Sequence, residues 1–236
     1  MQYAVKSFFI FLLLCSAAKS HGQVRRIPLT KIEMERSEQQ YQKFCALCHG
    51  SEREGNAADF APSLRSRSYM ATTPLNFLAS TIGFGRPNTA MAAYLIDMGG
   101  PMTRKEIFNM ALWLQYQSGH EPISIGTEPG VGDLKKRALL FESKCAECHG
   151  KMAEGITAPA LANPAFLAFA TDAYIKYAIE NGREETEMIA YKNKLSAEDI
   201  NDLTAYIRSL TSGWSPEPKA LASYPKAADY VLNKNG

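Results

Sequence analysis

The chain has few of the features that mark a nucleic-acid-binding protein or an integral membrane protein. Its 26 Lys and Arg residues nearly balance its 24 Asp and Glu residues, so the formal net charge is only +2. This balance offers no strongly basic surface, and we expect no nucleic-acid partner. The apolar run at residues 8–14 is well short of the roughly 18 residues that a membrane span requires.

Residues 1–22 have the pattern of an export signal. Lys6 gives a positive start, residues 8–14 form a short apolar core, and the small residues Ala17 and Ser20 lie near a possible cleavage point. We therefore expect a cleaved signal peptide and a periplasmic or otherwise exported bacterial protein. A retained N-terminal membrane anchor is the alternative.

Cysteine is scarce, and its placement is the most informative feature of the chain. Of five cysteines, Cys15 falls within the expected signal peptide. The other four form two copies of one five-residue unit, Cys45-Ala46-Leu47-Cys48-His49 and Cys145-Ala146-Glu147-Cys148-His149.

The C-x-x-C-H unit is the attachment signature of c-type haem. Two thiols can add to the two vinyl groups of one porphyrin, and the adjacent histidine is then placed against the iron. The chain is therefore predicted to carry two covalently bound haem c groups. The attachment residues are Cys45, Cys48, Cys145 and Cys148, and the proximal iron ligands are His49 and His149.

Other uses of a C-x-x-C pair fit this chain less well. A zinc site needs four ligands in one cluster, whereas each unit offers at most three. Thioredoxin-like pairs belong to a cytosolic βαβ context that is missing from this sequence. Because the chain has only four histidines, two of them at His21 and His120, both haems cannot have two histidine ligands. No free cysteine remains to act as a thiolate ligand.

The similarity between the two copies extends well beyond the cysteines. Each copy has a helical segment before the haem unit, a proline loop after it and an amphipathic helix at its end. We predict one domain at residues 37–118 and a second at residues 133–212. A linker rich in Gly and Pro spans residues 119–132, and a tail without assigned chemistry follows at residues 213–236.

Capping patterns and apolar periodicity place helices at the ends of each copy. Ser37 with Gln40 is a possible capping box for the first helix. The closing helices begin at similar patterns, Thr103 with Glu106 and Ser196 with Asp199. Apolar residues then recur at helical spacing and predict buried stripes, Ile107, Ala111 and Leu114 in one helix and Ile200, Leu203 and Ile207 in the other.

A methionine-bearing segment is the most telling match between the copies. It reads Ile82-x-x-Gly85-Arg86-x-x-Thr89-x-Met91 in the first copy and Ile179-x-x-Gly182-Arg183-x-x-Thr186-x-Met188 in the second. A tyrosine follows three residues later in both copies, Tyr94 and Tyr191. These tyrosines are expected to pack at a haem edge or in the core.

The haem unit, proline loop, methionine segment and closing helix together resemble class I cytochrome c. The doubled arrangement is similar to the two-haem cytochrome c4 type, over roughly residues 37–212. The resemblance implies an all-α fold of two tandem class I cytochrome c-like domains, each a few helices around one covalently attached haem. It also implies that Met91 and Met188 are the sixth iron ligands, and a thioether ligand raises the reduction potential relative to histidine.

The remaining methionines leave alternatives open in the first copy only. Met152 is too close to its haem unit to reach the opposite face of the iron, which leaves Met188 in the second copy. In the first copy Met91 competes with other methionines, and Met98 and Met102 are the main alternatives.

The resemblance assigns further residues around each haem. Pro62 and Pro159 match the proline whose carbonyl accepts a hydrogen bond from the proximal histidine, although a simple turn proline is the alternative. Arg86 and Arg183 either pair with haem propionates or face solvent.

A haem with both axial positions filled by protein exchanges an electron with little rearrangement. We predict a periplasmic di-haem c-type cytochrome that carries single electrons between an upstream donor and a downstream acceptor, with membrane-bound complexes among the candidate partners. No catalytic residue and no substrate are predicted. The alternative is a haem enzyme, a peroxidase or a sulfur-compound dehydrogenase, with one open or labile axial position.

Three glutamates lie beside the second methionine, Glu184, Glu185 and Glu187. They predict either a docking site for a basic redox partner or a solvated acidic loop.

Each half is expected to fold poorly without haem. A domain of about 80 residues has a thin apolar core, and a porphyrin adds a large apolar body to it. Circular dichroism of the haem-free protein should therefore show much less helix than the holoprotein. Native-like helix content in the haem-free protein would contradict this expectation.

Overall fold

The computed structural model describes residues 27–56, 58–87, 89–126 and 134–210. The expected signal peptide and the tail at residues 213–236 lie outside these residues, as does Cys15. Within the described ranges the chain forms helices and one isolated bridge between Leu95 and Met102, without a strand. The predicted all-α fold is confirmed.

The same order of helices occurs in both halves. The first half contains α1 (Lys31–Phe44), α2 (Ala46–His49), α3 (Arg67–Thr72), α4 (Leu75–Phe84) and α5 (Arg104–Gln117). The second half contains α6 (Leu134–Lys144), α7 (Ala146–His149), α8 (Pro164–Phe169), α9 (Asp172–Asn181) and α10 (Ala197–Ser209). A short 3₁₀ helix, Ile96–Met98, is added between α4 and α5. None of the described helices has the length and apolar character needed to cross a membrane.

The first helix begins earlier than the capping pattern predicted. Thr30 and Glu33 form a reciprocal capping box, in which each side chain accepts a hydrogen bond from the other residue's backbone N–H. The prediction of a cap at Ser37 and Gln40 was wrong, because Ser37 is buried in the middle of α1. The pattern Thr30-x-x-Glu33 meets the same requirement one heptad upstream, where the helix has unpaired N–H groups.

The closing helices match the predictions in both halves. Thr103 with Glu106 and Ser196 with Asp199 form the capping boxes that begin α5 and α10. All six residues of the two predicted apolar stripes are buried.

Each closing helix packs against the first helix of its own half. In the first half Tyr41 of α1 and Trp113 of α5 lie with ring centroids 5.2 Å apart. The equivalent pair in the second half is Phe141 with Tyr206, at 5.1 Å. These helix pairs form the framework on which the short helices α2 and α7 are placed.

The two halves also share buried aromatic residues. Phe77 of α4 is only 1% exposed and belongs to the apolar core of the second half. Its ring packs edge-on against Phe166 of α8 at 6.0 Å and in a tilted arrangement against Tyr174 of α9 at 5.5 Å. Because Leu78, Ile82 and Phe84 of the same helix belong to the core of the first half, α4 is held by both halves.

Phe77→Ala should destabilise the holoprotein by about 3–5 kcal/mol, since the truncation leaves a cavity in the shared core. Chemical denaturation of the holoprotein measures this loss. Phe60→Ala is the matched control, because Phe60 is 58% exposed and its loss should cost no more than about 0.5 kcal/mol. Equal stability of the two variants would show that α4 does not depend on the second half.

Candidate functional site

Each C-x-x-C-H unit folds as one helical turn closed by a glycine. In α2 and α7 the backbone N–H of the histidine donates to the carbonyl of the first cysteine, and the chain then turns at Gly50 or Gly150. Both glycines have a positive φ, 81° and 84°, which residues with a side chain rarely adopt. A Cβ at either position would also overlap the carboxylate of Glu54 or Glu154.

The two histidine rings are oriented by the proline loops. Nδ1 of His49 donates to the carbonyl of Pro62 at 2.9 Å, and Nδ1 of His149 donates to the carbonyl of Pro159 at 2.9 Å. A carbonyl oxygen can only accept, so the ring proton lies on Nδ1 and the lone pair of Nε2 is free for a metal. The predicted proline acceptors are confirmed as contacts in both copies.

Burial keeps both histidines in the form that binds a metal. His49 and His149 are 8% and 9% exposed. This burial lowers the pKa of each imidazole below its ordinary 6.5, although the hydrogen bond to the proline carbonyl acts in the opposite direction. Both rings are therefore neutral at pH 7.

The four cysteines beside the histidines form no disulfide with one another. Burial raises the pKa of Cys45 to about 12 and that of Cys145 to about 11, and the neighbouring second cysteine of each unit adds to the effect. Each turn thus presents two thiols and one neutral imidazole with a free Nε2. This donor set fits a haem held by two thioether bonds and one axial nitrogen. Across the described ranges, no group of three or more His, Cys, Asp or Glu side chains is placed to hold a metal ion.

The methionine segments are closed loops with the same internal bonds. In the first half the N–H of Arg86 donates to the carbonyl of Met91 at 2.8 Å. The hydroxyl of Thr89 donates to the carbonyl of Arg86 and accepts from the N–H of Met91. The second half repeats all three bonds, among Arg183, Thr186 and Met188.

The glycine that opens each loop is required by its surroundings. Gly85 and Gly182 have φ values of 69° and 68°. A Cβ at Gly85 would overlap the carbonyl oxygen of Met91, and one at Gly182 would lie 2.5 Å from that of Met188. The methionine backbone therefore packs directly on the glycine.

The far end of each loop is tied to the start of its haem unit. The hydroxyl of Tyr94 donates to the carbonyl of Phe44 at 2.8 Å, and that of Tyr191 donates to the carbonyl of Lys144 at 2.9 Å. Both carbonyls belong to the residue directly before the first cysteine. The tyrosines thus brace the methionine segment against the haem unit, a function that the sequence did not indicate.

The other methionines of the first half lie in different environments. Met70, Met102 and Met110 are almost completely buried in its apolar core. Met98 ends the 3₁₀ helix and is 37% exposed, while Met91 is partly buried.

The two arginines of the methionine segments lie between the halves. The guanidinium of Arg86 lies over Phe77 of its own half at 5.2 Å and over Phe166 of the other half at 5.5 Å. Burial lowers the pKa of Arg86, although nearby tyrosines act in the opposite direction.

Arg183 of the second half makes the equivalent contacts. Its guanidinium lies over Tyr174 of its own half at 5.1 Å and over Tyr69 of the first half at 5.8 Å. Its Nη1 and Nη2 are buried and have no hydrogen-bond partner among the described residues. Such a buried cation calls for an anionic acceptor, and a haem propionate has the required charge. The alternative that these guanidinium groups face solvent was wrong.

Two of the three glutamates beside Met188 contact the first half of the chain. Glu184 accepts hydrogen bonds from Ser66 and Ser68 of the first half, and Glu185 forms an ion pair with Arg65. Both carboxylates therefore have partners in the first half, and docking of a basic redox partner at this loop stays a prediction. No sequence pattern indicates these contacts, because they depend on how the halves meet.

Comparison with known proteins identifies a matching family. The family model described as cytochrome C oxidase, cbb3-type, subunit III matches residues 33–114 and 132–207, and each matched segment contains one C-x-x-C-H unit. The FixP subunit of the cbb3-type cytochrome c oxidase of Azorhizobium caulinodans is 28% identical over 211 residues. This alignment covers 83% of the present chain and 69% of FixP.

Two solved structures are also similar in part. A reducing HAO-like protein complex of Kuenenia stuttgartiensis gives a TM-score of 0.47 at 19% identity, covering 75% of this chain and 96% of that one. Reduced cytochrome c4 from Pseudomonas stutzeri gives a TM-score of 0.25 at 20% identity, covering 74% and 97% of the two chains.

Gly85→Ala should destabilise the first half more than Gly99→Ala does. Both glycines have a positive φ, but nothing lies within 4 Å of a Cβ built at Gly99. Gly99→Ala should therefore cost only about 1 kcal/mol of backbone strain, whereas Gly85→Ala must also displace the Met91 carbonyl. Urea denaturation of the two holoproteins measures the difference, and equal losses would contradict the close packing at Gly85.

Proposed function

The chain belongs to the family of cytochrome c oxidase, cbb3-type, subunit III, and from this membership we propose that it passes single electrons between redox partners through two His/Met haems. Membership confirms the predicted class I two-haem cytochrome fold and the two covalently attached haem c groups. It is also consistent with an electron-transfer protein rather than an enzyme.

The observation that carries the proposal is the arrangement of the two histidines. In both halves Nδ1 is fixed by a proline carbonyl at 2.9 Å, so Nε2 of His49 and His149 is free to bind iron. When bound, haem supplies a one-electron redox centre. Each pair of cysteines would hold one haem by two thioether bonds, the histidine would bind the iron, and a methionine would be the second protein ligand. With both ligands supplied by the protein, the iron would have no place for a substrate.

We assign the opposite axial position to Met91 and Met188. The support is that both lie in loops with identical internal bonds, each braced by a tyrosine to its own haem unit. Met102 packs in the apolar core of the first half. Met98 is partly exposed and lies on a 3₁₀ helix that, among the described residues, has no counterpart in the second half. The repeated loop therefore favours Met91 over both alternatives.

The two arginines complete the proposed sites at the contact between the halves. Arg86 and Arg183 are positioned to pair with haem propionates, and the unpartnered Nη atoms of Arg183 are the strongest support. Since each guanidinium stacks on aromatic rings from both halves, the pair also fixes the halves relative to each other. A fixed arrangement suits electron exchange between two centres in one chain.

The proposed partners are an upstream donor and a downstream acceptor, and a membrane-bound oxidase is one candidate because FixP is named as a subunit of a cbb3-type cytochrome c oxidase. The proposed location is the periplasm. The N-terminal export pattern and the two haem attachment units support it, since thioether formation belongs to an exported chain.

Replacing the proposed methionine ligands with histidine should lower the reduction potential of one haem at a time. Met91→His should shift one potential downward and Met188→His the other, because a thioether raises the potential relative to imidazole. A redox titration with spectra of both oxidation states measures the two potentials.

Met98→Leu and Met152→Leu serve as controls for these variants. Met98 is partly exposed and Met152 is 64% exposed, so neither substitution should move a potential. A shift in Met98→Leu but not in Met91→His would transfer the ligand assignment to Met98.

A further inference from the structure

The loop that carries Met188 is held from outside its own half. The carboxylate of Glu184 accepts a hydrogen bond from the backbone N–H of Ser68 at 2.9 Å and another from the hydroxyl of Ser66 at 3.2 Å. The hydroxyl of Ser68 donates to the carbonyl of Gly182 at 3.4 Å. Both serines are buried at the start of α3, in the first half.

The hydrogen bonds to Glu184 are the strongest of these contacts. Partial burial raises the pKa of the Glu184 carboxyl, but the hydrogen bonds from Ser68, from its own backbone N–H and from Ser66 together outweigh it and lower the pKa below 4.5. The group is therefore ionised at pH 7, and its hydrogen bonds are charge-assisted. The ion pair of Arg65 with Glu185 joins two half-exposed side chains and contributes less.

The Met91 loop makes the equivalent contact with the second half, but without a carboxylate. Pro87 stands in the Met91 loop where Glu184 stands in the Met188 loop, and its carbonyl accepts from Nδ2 of Asn163 at 3.0 Å. Asn163 caps α8 as Ser66 caps α3. The same two positions thus meet across the interface twice, with a carboxylate as the acceptor in the Met188 loop and a backbone carbonyl as the acceptor in the Met91 loop.

We propose that the first half positions the sixth ligand of the second haem, with Glu184 as the positioning residue. This inference rests on the His/Met function proposed above. The bonds inside the loop fix its shape, while Glu184 and the carbonyl of Gly182 fix its place against α3. We call the hydrogen bonds of Glu184 and of the Gly182 carbonyl to Ser66 and Ser68 the clamp. Without the clamp, Met188 would be held less firmly on the iron. The buried donors at Ser66 and Ser68 would also lose their acceptor. The first haem, whose loop is held differently, is unaffected.

The test compares Glu184→Ala and Ser66→Ala with the wild-type holoprotein. The control is Glu187→Ala, which removes an exposed carboxylate next to Met188 in the same loop. Imidazole is titrated into the oxidised proteins, because it competes with methionine for ferric haem. Proton NMR of the reduced proteins then gives one shifted set of methionine signals for each His/Met haem. The set that disappears in Met91→His belongs to Met91, and the set that disappears in Met188→His belongs to Met188.

In Glu184→Ala, imidazole should bind one haem about tenfold more tightly, as expected for the loss of one charge-assisted hydrogen bond. The Met188 signals should weaken or broaden while the Met91 signals stay unchanged. Ser66→Ala should act in the same direction with a smaller effect. Glu187→Ala should stay within about twofold of the wild type.

Two results would overturn the inference in distinguishable ways. If Met188 signals are present in the wild type and neither Glu184→Ala nor Ser66→Ala changes them or the imidazole affinity, the clamp is wrong and the His/Met function stands. If the wild type shows no Met188 signals, the ligand assignment fails and the clamp fails with it.

Discussion

The hydrogen bond from each proximal histidine to a proline carbonyl is the contact on which each site depends. It fixes the proton on Nδ1, leaves Nε2 free and aims the ring, so the helical turn can present two thiols and one imidazole together. The helical turn also holds the proline loop. The backbone N–H of Gly55 donates to the carbonyl of His49, and that of Gly155 donates to the carbonyl of His149. A change in either loop would therefore reach the histidine directly.

The second constraint is that the two halves share a set of aromatic residues where they meet. Phe77 is buried only with Phe166 and Tyr174 around it, and the two arginines stack on rings of both halves. Equivalent positions of the two copies meet here, so the duplication has produced a contact with approximate twofold character. Differences at single positions, such as Pro87 against Glu184, then give the two sites different support. Two similar one-electron centres can thus differ in properties although their haem units are nearly the same.

The features that depend on local sequence were predictable, and those that depend on how the halves meet were not. The haem units, the caps at Thr103 and Ser196 and the buried stripes follow from motif and periodicity, and the proline acceptors follow from the resemblance to class I cytochrome c. The first cap was misplaced because Ser37-x-x-Gln40 and Thr30-x-x-Glu33 satisfy the same pattern seven residues apart. Phe77 has the apolar character of a core residue, but sequence does not say which core it enters. Glu184 resembles a solvated charge until α3 of the other half is placed beside it.

The central claim is that both haems have one histidine and one methionine as axial ligands, which makes the protein a carrier of single electrons. The most direct measurement is electron paramagnetic resonance together with near-infrared magnetic circular dichroism of the oxidised wild-type holoprotein. Two low-spin haems are expected, both with the charge-transfer band of methionine bound to ferric iron. A high-spin haem, or a low-spin haem without that band, would contradict it.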